Sequence, residues 1–197
     1  PIEYFCIEKH WKKGSRWNWI FVRIDFAKTH NQFFEMFLPK DYCWDRSEEG
    51  DNIYYLYRLP LDDADLPSMI QSFSRLLNVT NQINLLTIQH ADCRILDAFR
   101  SCIHTTKIDC FKIMDTTCDP PMRKMITSMI QTNRVHQLRV YTGSTEMYDM
   151  KTLLHPLPKA IVDLRFEVLV EEDIPYWKEQ IDDLNKRQDI SQIVLSG

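Results

Sequence analysis

Three cations and their neighbours are the residues best placed to do chemistry. Lys112, Arg139 and Arg165 occupy one place in a recurring pattern, apolar-x-x-apolar-x-apolar, between its last two apolar residues. The pattern reads Ile83-x-x-Leu86-x-Ile88, Ile108-x-x-Phe111-x-Ile113, Val135-x-x-Leu138-x-Val140, Ile161-x-x-Leu164-x-Phe166 and Ile190-x-x-Ile193-x-Leu195. If each unit is a strand, its apolar positions turn inward and neighbouring units set the three cations side by side, about 5 Å apart, on the outward face. The same place holds Thr87 in the first unit and Val194 in the last. One flank of the row reads Leu85, Cys110, Gln137, Asp163 and Gln192, and the other reads Gln89, Met114, Tyr141, Glu167 and Ser196. Arg23 extends the row if Trp19-x-x-Val22-x-Ile24 is a further unit. Like charges side by side destabilise a sheet, so compensation is expected from Asp163 and Glu167 or from an acidic partner. The row is therefore a candidate partner-binding surface. Lys112, Arg139 and Arg165 would be its electrostatic anchors and Tyr141 an aromatic one, with Gln137, Asp163, Glu167 and Arg23 beside them. The bland alternative is a solvated strand face with ordinary charge.

Other chemistries find less support. His90-x-x-Cys93 and Cys102-x-His104, with Cys110 and Cys118 nearby, have the short spacing that structural zinc uses. Cys102, however, falls on the apolar side of the intervening helix, so no metal is expected. There is no G-x-S-x-G, no G-x-G-x-x-G and no phosphate loop. A non-enzymatic chain without cofactor follows. Trp11, Trp17, Trp19 and Trp44 could stack bases, which gives the alternative of an RNA- or nucleotide-binding module using the basic row. A net charge of −4 is not the basic footprint of such a module.

With 197 residues, 44% hydrophobic and 26% charged, the chain can bury a sizeable core without a disulfide or metal. Its six cysteines are expected to be reduced and mostly buried, which places it inside the cell, in cytoplasm or nucleus. No apolar run suits a membrane span and no signal peptide is visible. A start at Pro1 suggests a segment of a longer chain.

The elements that must position the row come from periodicity. The first apolar positions of the five units lie 25, 27, 26 and 29 residues apart. Between the strands at 83–89, 108–114, 135–141, 161–169 and 190–195 lie helical patterns at 92–104, 121–131, 147–154 and 173–186. Strand–helix alternation with connections this long predicts parallel strands with helical crossovers. Upstream, an irregular β-rich cap is expected over residues 1–80, with strands at 17–26, 32–38 and 53–59, a polar loop at 40–52 and a helix at 66–77. Residues 81–197 form the repeating part, continuous with the cap. Fold class is α/β: a short curved solenoid, parallel strands on its concave face and helices outside, because strands stack more closely than helices.

The five units resemble leucine-rich repeats. They depart from that consensus where Asn or Cys should follow the last apolar residue by three positions: Ala91, Thr116, Gly143 and Leu169 stand there instead. The asparagine ladder is missing, so the corners must be held differently. The degenerate pattern resembles the region that follows the F-box in the large nematode families of F-box proteins. That resemblance implies a module recognising substrates for an SCF-type ubiquitin ligase. A Skp1-like adaptor would join through an F-box upstream of Pro1.

Overall fold

The computed structural model describes residues 1–10, 19–42, 44–60, 66–103, 106–114, 120–142, 163–168, 172, 174–186 and 193–196. In chain order the elements are β1 (Ile2–His10), β2 (Trp19–Ala27), α1 (Asn31–Glu35), β3 (Trp44–Glu49), β4 (Asn52–Pro60), α2 (Leu66–Ser72), α3 (Ser74–Val79), β5 (Gln82–Gln89), α4 (Cys93–Ile103), β6 (Lys107–Met114), α5 (Pro120–Thr132), β7 (Gln137–Thr142), β8 (Asp163–Val168), α6 (Ile174–Asn185) and β9 (Ile193–Ser196). The molecule is mixed α/β. Among the described residues nine strands form one open sheet in the order β3-β4-β2-β1-β5-β6-β7-β8-β9.

Two pairing regimes meet at β1. From β1 through β5 to β9 all neighbours are parallel. On the other side β1/β2, β2/β4 and β3/β4 are antiparallel. Trp19-x-x-Val22-x-Ile24 is therefore not a further unit of the parallel series. Its strand runs the opposite way and is separated from β5 by β1.

Period-2 alternation explains which face is buried. In β4, Ile53, Tyr55, Tyr57 and Leu59 are buried, while Tyr54, Leu56 and Arg58 between them reach solvent. Helix residues complete the same core: Ile70, Phe73, Leu76 and Leu77 of the α2–α3 segment, Ile95, Leu96 and Phe99 of α4, and Met122, Ile126 and Met129 of α5. Phe5 of β1 sits at the join, with its ring centroid 4.9 Å from that of Phe99 and 6.2 Å from that of Phe73. Helices α3, α4 and α5 lie side by side, Arg100 of α4 donating to Ser128 of α5 at 3.2 Å.

Three expectations are corrected. Residues 32–38 do not form a strand. Asn31, Phe34 and Leu38 are the buried positions, a spacing of three and four that suits a helical turn. Asn31 accepts a hydrogen bond from the Tyr55 hydroxyl at 2.9 Å, and Phe34 stacks on Phe26 at 4.8 Å. The polar stretch 40–52 is not all loop. Residues 44–49 are the edge strand β3, exposed along nearly its whole length and therefore charged rather than alternating. Gly50, at φ +57°, turns β3 into β4 through a two-residue connection, and a Cβ there would meet nothing within 4 Å, so backbone conformation is the reason for glycine. The single helix expected at 66–77 is two, α2 and α3, separated at Phe73. The helix expected at 147–154 lies outside the described residues, as do Ile161 and Ile190.

Among the described residues, a line of buried side chains holds the corners where helices return to strands. Thr80, Thr106 and Asn133 precede β5, β6 and β7 and are all buried. The Thr80 hydroxyl donates to the Leu76 carbonyl at 2.9 Å and the Thr106 hydroxyl to the Thr80 carbonyl at 3.4 Å. Asn133 Nδ2 donates to the Thr106 carbonyl at 2.8 Å and to that of Ile103. Backbone bonds join in, with the Ile108 amide donating to the Asn133 carbonyl at 3.0 Å. Buried carbonyls left over at helix ends are thereby satisfied.

Candidate functional site

The strand register builds one row across the whole sheet. It runs Asp45, Leu56, Arg23, Cys6, Thr87, Lys112, Arg139, Arg165 and Val194. Lys112, Arg139 and Arg165 are direct cross-strand neighbours, and Arg23 stands in the same row, three strand positions from Lys112 across Cys6 and Thr87. The flanking positions follow the same register: Gln137 is opposite Asp163, and Tyr141 is opposite Glu167.

Arg23 is committed within the molecule. Its Nε and Nη2 donate to the two oxygens of Asp25, both at 2.8 Å, in a fork-to-fork pair. Its guanidinium carbon lies 4.3 Å from the Tyr54 ring centroid and 5.6 Å from that of Tyr4, and Glu49 adds a second carboxylate at 3.6 Å. The hydrogen bond to Asp25 raises the Arg23 pKa further. Burial pushes the Tyr4 phenol and the Cys6 thiol up, so both stay protonated at neutral pH.

Arg139 is the contrast. It is half-buried, and its Nε is screened from solvent and makes no hydrogen bond. A guanidinium nitrogen taken from water without a partner is costly, and a ligand oxygen would repay it.

A second polar line crosses the strand starts. Asn84 donates to Glu3 at 2.6 Å, and Gln82 bridges Asn84 at 3.1 Å and Asp109. Asp109 also meets Lys107 at 2.8 Å and His136 at 3.5 Å. Asn84, Asp109 and His136 all follow the first apolar residue of their units, so the repeat carried a signal for this line that the outward row overshadowed.

Cys102 is buried, its thiol directed at the Ile70 carbonyl at 3.7 Å. His104 and Cys118 lie outside the described residues, and among the described residues no group of three potential ligands surrounds one point. Of the tryptophans that could stack bases, Trp19 and Trp44 are described. Trp44 on β3 is six strand positions from Arg139 and Trp19 on β2 is four, about 29 and 19 Å at ordinary strand spacing. Trp11 and Trp17 lie outside the described residues. Elsewhere, a groove of about 540 Å³ lies between Met36–Asp41 and Gln71–Arg75. Among the described residues no helix is long and apolar enough to cross a membrane.

No protein-family model matches the chain, and neither a curated protein nor a solved structure matches it.

Proposed function

We propose that this chain is a protein–protein interaction module, not an enzyme, whose binding face is the side of the sheet opposite the helices. The observation that carries the reading is the register Lys112–Arg139–Arg165: three cations on adjacent parallel strands, with the buried Nε of Arg139 lacking a partner. Clustering of this kind is unfavourable in the free molecule, and a bound partner would relieve it. Gln137 and Tyr141 beside Arg139, and Asp163 and Glu167 beside Arg165, complete the surface.

The finer architecture belongs to the same reading. Residues 81–197 are taken as a short, curved, leucine-rich-repeat-like stack, strands on the concave face, with residues 1–80 as its cap. The parallel order β5 to β9, the side-by-side helices and the buried Thr80–Thr106–Asn133 line support it. On this reading the domain recognises a target protein inside the cell for an SCF-type ubiquitin ligase, joined through a Skp1-like adaptor. No metal or cofactor takes part.

The test is affinity capture from cells with quantitative mass spectrometry, comparing the unmodified protein with Arg139→Glu/Arg165→Glu. Captured proteins should fall by about tenfold on reversal, a loss of the size expected when interface charges are inverted. An unchanged set would remove the face assignment. A Skp1-like adaptor absent from every capture of the full-length protein would remove the ligase role.

A further inference from the structure

We infer that the groove between Met36–Asp41 and Gln71–Arg75 is a docking site of its own, and that its occupant is a short amphipathic segment of a partner protein, apolar and acidic. The groove lies on the helix side of the sheet and does not depend on the reading of the opposite face. One residue of β4 builds it. Tyr57 is buried, its hydroxyl donates to the Pro39 carbonyl at 3.2 Å, and its ring centroid lies 5.0 Å from that of Phe73. Pro39 belongs to one wall, and Phe73 stands between Ser72 and Ser74 of the other. Both walls are thus fixed to the same buried side chain. The groove is formed before anything enters it, which keeps the ordering cost of binding small.

Two kinds of surface meet at its mouth. Met36 is 65% exposed and Phe33 49%, and the Phe33 ring lies 5.3 Å from that of Phe37 in the lining. α1 turns these side chains outward because its inward positions are Asn31, bonded to Tyr55, and Phe34, stacked on Phe26. Large apolar side chains left together in water mark a contact surface. Lys40 and Arg75 put one exposed cation on each wall, against one carboxylate, Asp41, among the described lining residues. The complement of this lining is therefore apolar and acidic. A bilayer would press on protrusions, whereas a concave groove receives a narrow segment. A helical turn with apolar residues at i and i+3 or i+4 and a carboxylate beside them meets both surfaces.

The test is selection from a random dodecapeptide library displayed on phage against the immobilised full chain, followed by fluorescence anisotropy of the enriched peptides. These should combine Glu or Asp with bulky apolar residues and bind with Kd of about 10–100 μM. Met36→Ala and Arg75→Glu should each weaken binding about tenfold. Both side chains are exposed, so the urea midpoint should not move. Lys124→Glu, which reverses an exposed cation on α5, should change binding less than about twofold. No enrichment, enriched peptides without carboxylates, binding that survives Met36→Ala and Arg75→Glu, or an equal loss in Lys124→Glu would each overturn the proposal. Tighter binding to phosphatidylserine vesicles than to any selected peptide would overturn it too, and would assign the patch to a membrane surface.

Discussion

The two ends of one row of the sheet treat the same side chain in opposite ways. Arg23 on β2 and Arg139 on β7 both project between apolar strand positions, and both are partly withdrawn from water. Arg23 has every reason to stay where it is: a buried carboxylate in register for two hydrogen bonds, two tyrosine rings and a second acidic side chain. Arg139 has a cation for a neighbour on each side and a buried Nε without a hydrogen bond. The difference follows from each strand's own sequence, Asp25 standing two residues from Arg23 on β2, and from what the neighbouring strands bring. In the antiparallel region β4 turns back beside β2 and brings Tyr54 next to Asp25, with Glu49 close by at the end of β3. In the parallel region each strand repeats the register of the one before, so like residues line up with like. The parallel register thus sets Lys112, Arg139 and Arg165 in a line, whereas Arg23 has Asp25 on its own strand and Tyr54 on the antiparallel neighbour. A shared row does not make a shared environment: Arg23 is held by partners within the molecule, whereas the Nε of Arg139 is buried and makes no hydrogen bond.

The largest expected effect breaks this comparison if it is wrong. Arg23→Glu leaves Asp25, 6% exposed, without its cation and beside a new carboxylate. It should cost about 3 kcal/mol in urea unfolding, the range for uncovering a buried charge. Arg139→Glu should cost less than about 0.5 kcal/mol or stabilise, since it removes a like-charge neighbour. Equal losses would mean that the two arginines do the same structural work. Next in size is Asn133→Ala, which leaves the Ile103 and Thr106 carbonyls without their side-chain donor in a buried corner. About 2 kcal/mol is expected, with amide exchange accelerating first in β6 and β7. Exchange accelerating first in β2 and β4 would place the corner line in the wrong half of the molecule.

Much of this was legible from residues alone, and the misses have physical causes. The strands around Leu86, Phe111 and Leu138 and the helices α4 and α5 follow from apolar periods that persist long enough to separate 2 from 3.6. The Lys112–Arg139–Arg165 row followed from the same periods, because repetition with constant register fixes which residues become neighbours. α1 failed that route. Five residues make too short a helix to display a period, and its conformation is set by distant partners, Tyr55 and Phe26, brought in by the fold. β3 was missed because an edge strand exposed on both faces has no apolar alternation to show. The position of β1 between β2 and β5 is a non-local fact with no local signature. The lock on Arg23 was partly readable: Arg23 and Asp25 are two apart on a strand, hence on one face. The aromatic cover depended on which strands came to lie beside it.

The smallest effect tests where the two regions are joined. Lys9 at the end of β1 meets Asp92, just ahead of α4, at 3.1 Å. Asp92 also caps α4, its Oδ1 accepting from the amides of Arg94 at 3.0 Å and Ile95 at 3.2 Å. Burial alone would raise its pKa, but the hydrogen bonds from Arg94, Lys9 and the Ile95 amide outweigh burial and hold it at about 2. That lies below the ordinary carboxylate value, so the charged form is bound more tightly in the folded state. Its stabilisation should be complete above about pH 4 and disappear as pH falls through 2. Asp92→Ala should cost about 1 kcal/mol at neutral pH, the usual worth of a cap. Asp92→Asn should keep most of the cap but lose the ion pair, so its deficit against the unmodified protein should be present at pH 6 and gone near pH 2. A deficit of the same size at both would assign the join to hydrogen bonding without charge. The antiparallel and parallel regions would then be coupled through the Phe5–Phe73–Phe99 contacts rather than through an ion pair.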